Sequence, residues 1–549
     1  MKKILLSILM LVIVSLFTLT VTAAPTEDGS IVVNEEYIFE AYAEDAESVE
    51  IEGVSYDETT NTLTLQNANV KVVDTFYMGE DFKINVVGEN NVEAFKIYDS
   101  SVEFVGTGIL NLKSTEEIED FIMVSGNKTK VGAITINMVN DPPYEYKYGI
   151  FGGESDVELN GTKINFDNMY NVVEGINVKL NNVTIKGKVA KVIVEGIQVK
   201  IKDSKIICEN VTECIYTFSD EENNIKGNVE IDNSTIEVTK EIRYDLISAE
   251  GKVNVNNSKL NMVTARDSGN ATGIYSEDIV TIKNSDITFV SGETAIFAHE
   301  KITLENTKLT VKDVIFGMYS FGEIAIKGGS TDIKADLLAI ASLAFEEEGK
   351  ISISDGMIIE PNASIKSMNE DDEYITTFAT GELKMLETED SFEIENGVKE
   401  IKIYEPIKYE EIKISDTKYT LEKDDTLTIT VQSDFSKFKT VYVNGKELTK
   451  DQYTAKEGST IITISKAYLS SLKAGTYNVK VEFTNGTAET SFKVEEEVVE
   501  KPIVQEPAVK EPVKDKTPAT GSVNYIPYVT IVAVVSLAGV VVCKKAEQN

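Results

Sequence analysis

The chain has 549 residues, and its 53 Lys and Arg against 91 Asp and Glu give a formal net charge of −38. A surface of this charge repels phosphate, so a nucleic-acid-binding protein is excluded. With one histidine, no tryptophan and three cysteines, the chain also lacks the clustered ligands of zinc sites and of most histidine-based catalysis.

The first residues have the layout of a secretory signal. Lys2 and Lys3 precede an apolar run that ends in small residues, with Ala23 at the expected cleavage position. Residues 1–23 are therefore predicted to be a signal peptide that directs export. A retained membrane anchor is the alternative, and the absence of a basic flank after the apolar run disfavours it.

The central region repeats an apolar residue, a turn residue two positions later and a second apolar residue, at intervals of 21 to 30 residues. The copies begin at Leu159, Leu180, Ile201, Ile231, Val255, Ile282, Leu304, Ile326 and Ile353. Their turn positions are Gly161, Asn182, Asp203, Asn233, Asn257, Asn284, Asn306, Gly328 and Asp355. These residue types tolerate left-handed dihedral angles, which indicates a shared corner. Short strands with a recurrent corner predict a right-handed parallel β-helix, a solenoid, over residues 30–405.

Earlier residues carry weaker copies of the pattern, one around Asn67 and another that includes Gly88. The run from Asp57 to Leu65, followed by Val86-Val87-Gly88-Glu89-Asn90, resembles the β-helical surface proteins of Gram-positive bacteria described as carbohydrate-binding-domain proteins. The resemblance covers most of residues 50 to 360, and it implies a surface location and a glycan ligand.

Tyr144, Tyr146 and Tyr148 are the candidate ligand-binding residues. At alternate positions of an extended segment they would project from one side of a strand, and aromatic rings bury the apolar face of a sugar. A strand face packed beneath a loop is the alternative, since tyrosine readily fills β surfaces.

Catalytic candidates are sparse. Pectate-lyase-like sites use a carboxylate-held calcium ion and an Arg or Lys base, and the two arginines of the chain, Arg243 and Arg266, are better explained as surface ion pairs. Polygalacturonase-like hydrolases combine paired acids with a Gly-His-Gly motif, whereas the single His299 lies in Ala298-His299-Glu300. We therefore expect no catalytic residues and no enzymatic activity.

Neither a metal nor a cofactor is expected. Acidic runs at Glu116-Glu117, Glu346 to Glu348 and Glu370 to Glu373 offer oxygen ligands for Ca²⁺, but no calcium-binding loop accompanies them and solvation is the default interpretation. Cys208 and Cys214 either form a disulfide after export or remain buried thiols, and the sequence leaves both possibilities open.

The pattern of apolar and polar residues changes at Ile407. Alternating strands and an Asn444-Gly445 hairpin signal fit an immunoglobulin-like sandwich over residues 407–494. Ser465 is expected to cap a short helix that ends before Gly475. The segment from Val441 to Leu448, with the later Gly475-Thr476-Tyr477, resembles X2-type Ig-like modules of bacterial surface and carbohydrate-active proteins, which implies a spacer with weak glycan or wall binding.

The C-terminal end combines four features. Residues 495–516 are rich in proline and predicted to be an extended spacer. They precede Thr517-Pro518-Ala519-Thr520-Gly521, the motif at 517–521. Residues 526–543 are apolar enough to form a transmembrane helix, and residues 544–549 form a basic cytoplasmic tail.

This order of a Pro-x-Thr-Gly motif, an apolar helix and a basic tail resembles the sorting signal that sortases read in Gram-positive bacteria. The resemblance implies that a sortase recognises Thr517 and Pro518, cleaves between Thr520 and Gly521, and joins the chain to peptidoglycan. Thr517 replaces the usual leucine, which leaves the sortase class open. A plain single-pass anchor is the alternative.

These features predict an all-β, secreted, cell-wall-anchored surface protein that acts as a carbohydrate-binding or adhesin-type scaffold. Sortase and peptidoglycan are the expected partners, with a polysaccharide or host glycan as ligand. Membrane contact is expected only through the C-terminal helix before sorting. The alternatives are a β-helical polysaccharide lyase or hydrolase, and a purely structural spacer.

Overall fold

The computed structural model describes residues 28–41, 49–113, 119–141, 146–263, 271–345, 348–370, 373–387, 392–410, 412–415, 417–421 and 424–496. The predicted signal peptide, nearly all of the proline-rich spacer, the sorting motif, the predicted membrane helix and the basic tail lie outside these residues. Within them, no helix has the length and apolar character needed to span a bilayer.

The described residues form a mixed sheet of 33 strands and two smaller sheets of six and four strands, which confirms the predicted all-β class. The strands of the large sheet are β1 (Ser30–Val33), β2 (Glu36–Glu40), β3 (Val54–Asp57), β4 (Thr62–Gln66), β5 (Asn69–Val87), β6 (Glu89–Gly106), β7 (Ile109–Lys113), β8 (Asp120–Ser125), β9 (Lys128–Val131), β10 (Thr135–Val139), β11 (Tyr148–Phe151), β12 (Asp156–Asn160), β13 (Lys163–Glu174), β14 (Asn177–Asn181), β15 (Thr184–Gly196), β16 (Gln198–Lys202), β17 (Lys205–Thr217), β18 (Asn228–Asp232), β19 (Thr235–Val238), β20 (Ile247–Ala249), β21 (Val253–Asn256), β22 (Lys259–Val263), β23 (Thr272–Ser276), β24 (Ile279–Lys283), β25 (Asp286–Ala298), β26 (Lys301–Ser320), β27 (Glu323–Phe345), β28 (Lys350–Ile353), β29 (Ile358–Glu360), β30 (Ser364–Glu370), β31 (Glu373–Glu387), β32 (Phe392–Gly397) and β33 (Glu400–Tyr404).

The strands from β4 to β28 pair with one another in parallel, and the repeat sets their register. Leu159 lies opposite Leu180, and the same ladder continues through Ile201, Ile231, Val255, Ile282, Leu304, Ile326 and Ile353. Upstream it extends through Val131, Phe104 and Ile84 to Leu63. Each step of the alignment made from the sequence is therefore confirmed as a pair of facing residues.

The shared corner is also present. The backbone φ angle is positive at every predicted turn position from Gly161 to Gly328, for example 46° at Asn233 and 48° at Asn257. Asp355 is the exception, and the positive angle falls on Gly356 instead. Left-handed backbone costs most L-residues about 1–2 kcal/mol, whereas Gly, Asn and Asp adopt it readily, so these residue types recur at the corner.

Aliphatic side chains stack in the same register inside the large sheet. Val173, Val194, Ile215, Ile247 and Ile274 face one another from strand to strand and are almost completely buried. Burial of such a side chain contributes about 1.5–3 kcal/mol, so this ladder and its neighbours provide the main stabilisation. The residues next to them in each strand point to the opposite face and form an outer surface of the sheet.

Antiparallel strands cover both ends of the parallel stack. β1 pairs with β2 and β5, and at the other end β27 pairs with β31 and β33. The segment from β29 to β33 thus departs from the parallel winding expected up to residue 405. It lacks the repeated corner residue, and covering the last parallel strand protects an edge that would otherwise be open to pairing.

The C-terminal strands are β34 (Ile407–Tyr409), β35 (Ile412–Ile414), β36 (Lys418–Thr420), β37 (Leu427–Val431), β38 (Phe438–Val443), β39 (Lys446–Glu447), β40 (Tyr453–Lys456), β41 (Ile461–Ile464), β42 (Gly475–Phe483) and β43 (Gly486–Glu495). β35, β37, β40 and β41 form the four-stranded sheet, and the others form the six-stranded sheet. Both sheets contribute to one hydrophobic cluster, including Ile429, Val441, Ile462 and Val481.

Local sequence signals in this region are confirmed. Asn444 and Gly445 both have positive φ and join β38 to β39, as the hairpin signal predicted. Ser465 caps the helix α1 (Lys466–Leu469) by accepting a hydrogen bond from the Tyr468 backbone. A single 3₁₀ turn, Phe435–Lys437, precedes β38.

Candidate binding surface

The structure does not place Tyr146 and Tyr148 on one face of a single strand, as the sequence predicted. Tyr144 lies outside the described residues, Tyr148 is the first residue of β11, and Tyr146 lies in a bend before it with 54% of its surface exposed. Tyr170 of β13 joins them, because its ring centroid is 5.2 Å from those of both Tyr146 and Tyr148. The aromatic group therefore forms between strands rather than along one strand.

Parallel pairing extends this group into a row of outward-facing side chains, here called the outer ladder. Its members face one another in succession and are Phe151, Glu174, Glu195, Tyr216, Ser248, Tyr275, Phe297 and Tyr319. All are half-buried. Neighbouring strands lie about 4.8 Å apart, so residues distant in sequence become neighbours on one continuous surface.

Carboxylates occupy the middle of this surface. We define the acidic patch as Glu174, Glu195, Glu213 and Asp245, the last two lying beside the outer ladder on β17 and before β20. Burial raises the pKa of all four, and it raises the pKa of Asp245 to about 7. Carboxylates facing one another on adjacent strands also repel, so the patch favours the binding of protons or cations.

Asn171 holds two of these carboxylates together. Its Nδ2 donates hydrogen bonds to Oε2 of Glu174, at 2.7 Å, and to Oε2 of Glu195. Only 3% of the Asn171 surface is exposed, and its buried Oδ1 has no hydrogen-bond partner within the described residues. A buried polar atom without a partner is unusual and calls for an explanation.

Lys191 brings a positive charge to the same surface. Its Nζ lies 4.3 Å from the centroid of the Tyr170 ring and donates a hydrogen bond to the Tyr170 hydroxyl. This hydrogen bond, with the nearby carboxylates Glu195 and Glu213, raises the pKa of Lys191. The surface therefore already holds one ammonium group between an aromatic face and carboxylates.

A second aromatic group lies farther along the outer ladder. The rings of Tyr275 and Phe297 stack with centroids 5.2 Å apart, and Tyr319 continues the row 5.4 Å from Phe297. A cleft of about 340 Å³ lies between these rings and Asp245. Sequence reasoning missed this group, although the spacing of 22 residues between its members equals that of the neighbouring repeats.

A larger groove, of about 1380 Å³, lies near the N-terminal end of the sheet. Asparagines on successive strands line it, and Asn137 donates to Asn111, which donates to Asn91. Among the described residues, no aromatic ring lines this groove. The asparagines of this groove hydrogen-bond to one another and so stabilise the pairing of their strands. The rings and carboxylates of the outer ladder are not needed for strand pairing, which makes the outer ladder the better candidate for a binding surface.

The residues considered for catalysis do not come together. Arg243 lies exposed before β20, while Arg266 lies outside the described residues. His299 packs edge-on against Phe321, with centroids 4.8 Å apart. No cluster of His, Cys, Asp and Glu suited to a metal ion occurs in the part of the chain that the structure describes.

Cys208 and Cys214 are free thiols in the core of the large sheet. Both are completely buried. A hydrogen bond to Cys208, together with burial, raises the pKa of the Cys214 thiol well above its usual value. The structure thus describes the reduced state of this pair.

The C-terminal sheets have a surface groove of their own, with a volume of about 800 Å³. Tyr442, Asn478, Lys480 and Glu489 contribute to its lining. The Nζ of Lys480 lies 5.4 Å from the centroid of the Tyr442 ring. Polar and charged side chains dominate this groove.

Comparison with known families gives one finding for this region. Residues 412–495 match a family model described as "Heme-binding protein Shr-like, Hb-interacting domain". The match fits a protein of the bacterial surface. The match covers most of the two C-terminal sheets and does not include the large sheet. The family it names differs from the X2-type modules. No curated protein matches the chain.

Replacing Asp245 with asparagine is expected to stabilise the protein at pH 8. The Asp245 carboxyl binds a proton more tightly in the folded state, because its pKa there is about 7 rather than 3.8. Its contribution to stability is therefore present at acidic pH and is lost as the pH rises from about 4 through 7. Asp245→Asn should raise the free energy of unfolding at pH 8 by about 1–4 kcal/mol, with no gain near pH 4. Urea denaturation at both pH values measures this.

Asp167→Asn is the matched control. Asp167 is an acid on the same sheet whose side chain is 41% exposed, and its Oδ2 lies 3.2 Å from the Nζ of Lys188. Its replacement should change the free energy of unfolding by less than about 0.5 kcal/mol at either pH. A loss of stability in Asp245→Asn at pH 8 would contradict the account of the acidic patch.

Proposed function

We propose that this chain is a non-enzymatic, exported surface protein of adhesin type that is joined to the cell wall by a sortase and binds carbohydrate through the outer ladder. The two aromatic groups of that ladder are the observation that carries the carbohydrate proposal. Flat rings cover the apolar faces of sugars, and the carboxylates between them accept hydrogen bonds from sugar hydroxyls.

The proposed architecture is a right-handed parallel β-helix followed by an immunoglobulin-like module. Uninterrupted parallel pairing from Leu63 to Ile353 and positive φ at the repeated corner support the first part. Two sheets around one hydrophobic cluster support the second. The resemblance of residues 517–521 to a sorting motif supports the attachment to peptidoglycan.

A second proposed function is contact with hemoglobin through residues 412–495, and the family match is the observation that favours it. Heme iron is usually held by His, Cys, Met or Tyr. This segment contains no His, Cys or Met, so its tyrosines are the ligands left, and Tyr442 is the one that lines the groove. This groove is lined mainly by polar side chains, whereas a porphyrin needs an apolar pocket. These residues do not fit a heme site, so the proposed partner is the hemoglobin protein surface.

Tyr146→Ala is expected to weaken carbohydrate binding without affecting stability. Because 54% of Tyr146 is exposed, its removal should leave the melting temperature unchanged while lowering affinity on a glycan array by about three- to tenfold. Tyr37→Ala is the control, since Tyr37 is 50% exposed but lies on β2, away from the outer ladder. Equal losses of melting temperature and of glycan signal would assign Tyr146 to packing instead.

Lys480→Ala is expected to weaken hemoglobin binding by about tenfold or more, because it removes the cation beside the Tyr442 ring in this groove, and tyrosine is enriched among the residues that dominate interface energetics. Biolayer interferometry of the full chain against hemoglobin measures the effect. Lys466→Ala is the control in the same region, since the Lys466 Nζ pairs with Asp425 at 2.6 Å on helix α1. Absence of hemoglobin binding by the wild-type chain, or unchanged binding by Lys480→Ala, would contradict the proposal.

A further inference from the structure

The acidic patch contains more negative charge than its surroundings neutralise. Glu174 and Glu195 face each other on adjacent strands, and the side-chain carboxylate of Glu213 accepts no hydrogen bond within the described residues. Lys191 is the cation whose charge acts on Glu174, Glu195 and Glu213 alike. One ammonium group against three carboxylates leaves an attraction for a further cation.

Asn171 shows that this arrangement is built rather than incidental. Its amide fixes Oε2 of both Glu174 and Glu195, so the other carboxylate oxygens are available to a ligand. Its own Oδ1 is buried and without a partner among the described residues. The hydrogen bonds from Asn171 favour the charged forms of Glu174 and Glu195, so this side chain keeps two buried carboxylates ionised at the cost of one unpaired oxygen of its own.

The neighbouring rings define what kind of cation fits. Tyr148 and Tyr170 flank the patch on one side, and Tyr275 and Phe297 flank it on the other. The outer ladder from Phe151 to Tyr275 spans about 24 Å at the usual strand spacing. A small ion would contact only one point of this span, whereas a linear chain of flat rings with apolar faces would contact side chains along all of it.

We infer that the outer ladder binds a linear glycan with free amino groups, that is, a polymer of incompletely N-acylated amino sugars. Sugar rings lie on the aromatic side chains at either end, and an ammonium group between them contacts the carboxylates of Glu195 and Glu213. Lys191 over Tyr170 occupies the kind of position that such an ammonium group takes. A polyuronate would instead place carboxylates against carboxylates, so acidic polysaccharides are excluded as ligands.

This inference rests on the proposed carbohydrate binding and goes further by naming the class of glycan. Isothermal titration calorimetry of the full chain with a glucosamine hexamer and with an N-acetylglucosamine hexamer tests the class of glycan separately from carbohydrate binding in general. We expect the amino form to bind at least tenfold more tightly. Equal or tighter binding of the acetylated form would overturn the inference while leaving the proposed function intact. Failure of both hexamers to bind would overturn both.

Two controls separate a specific site from general attraction to a chain of net charge −38. Glu213→Gln should weaken binding of the glucosamine hexamer at least fivefold without lowering the melting temperature. Glu230→Gln should leave binding unchanged, because Glu230 is an exposed acid of the same sheet paired with Lys200 at 3.0 Å. Equal effects of the two substitutions, or equally tight binding of hexalysine, would overturn the inference.

Discussion

Parallel pairing of successive repeats in register is the constraint on which this structure depends. Each parallel strand pairs with strands one repeat before and after it, so a buried residue such as Ile247 faces Ile215 and Ile274. This pairing joins short apolar segments, none of which could form a core alone, into continuous ladders. The corner residues keep that register, because a left-handed turn at one fixed position starts the next strand of every repeat in the same place.

The same constraint determines the chemistry of the surface. A ladder gives each outward side chain two fixed neighbours. In this way three rings follow one another from Tyr275 to Tyr319, and two carboxylates face each other at Glu174 and Glu195. Aligned rings stabilise the sheet, whereas aligned carboxylates destabilise it. Burial is the main cause of the raised pKa of Glu174 and Glu195, and repulsion from a neighbouring carboxylate adds to it.

Much of the large sheet could be predicted from the sequence, since the spacing of Leu159, Leu180 and Ile201 already contains the register and the Asn and Gly corners confirm it. The repeat at Val131 was missed because Ala133 stands where other repeats have Asn, Asp or Gly. The contribution of Tyr170 to the tyrosine group could not be seen either, because it depends on which residues face each other across strands. The family match of residues 412–495 was not predicted, because these residues carry no short motif that indicates it.

The parallel stacking of the strands is tested most directly by the distance between two outward-facing positions on one ladder. Lys130 and Asn254 are separated by five pairing steps, through Glu158, Lys179, Lys200 and Glu230. Spin labels on cysteines introduced at these two positions, in a chain whose native cysteines are replaced by serine, should give a narrow distribution near about 24 Å in double electron–electron resonance. A broad distribution, or a distance beyond about 40 Å, would contradict the account.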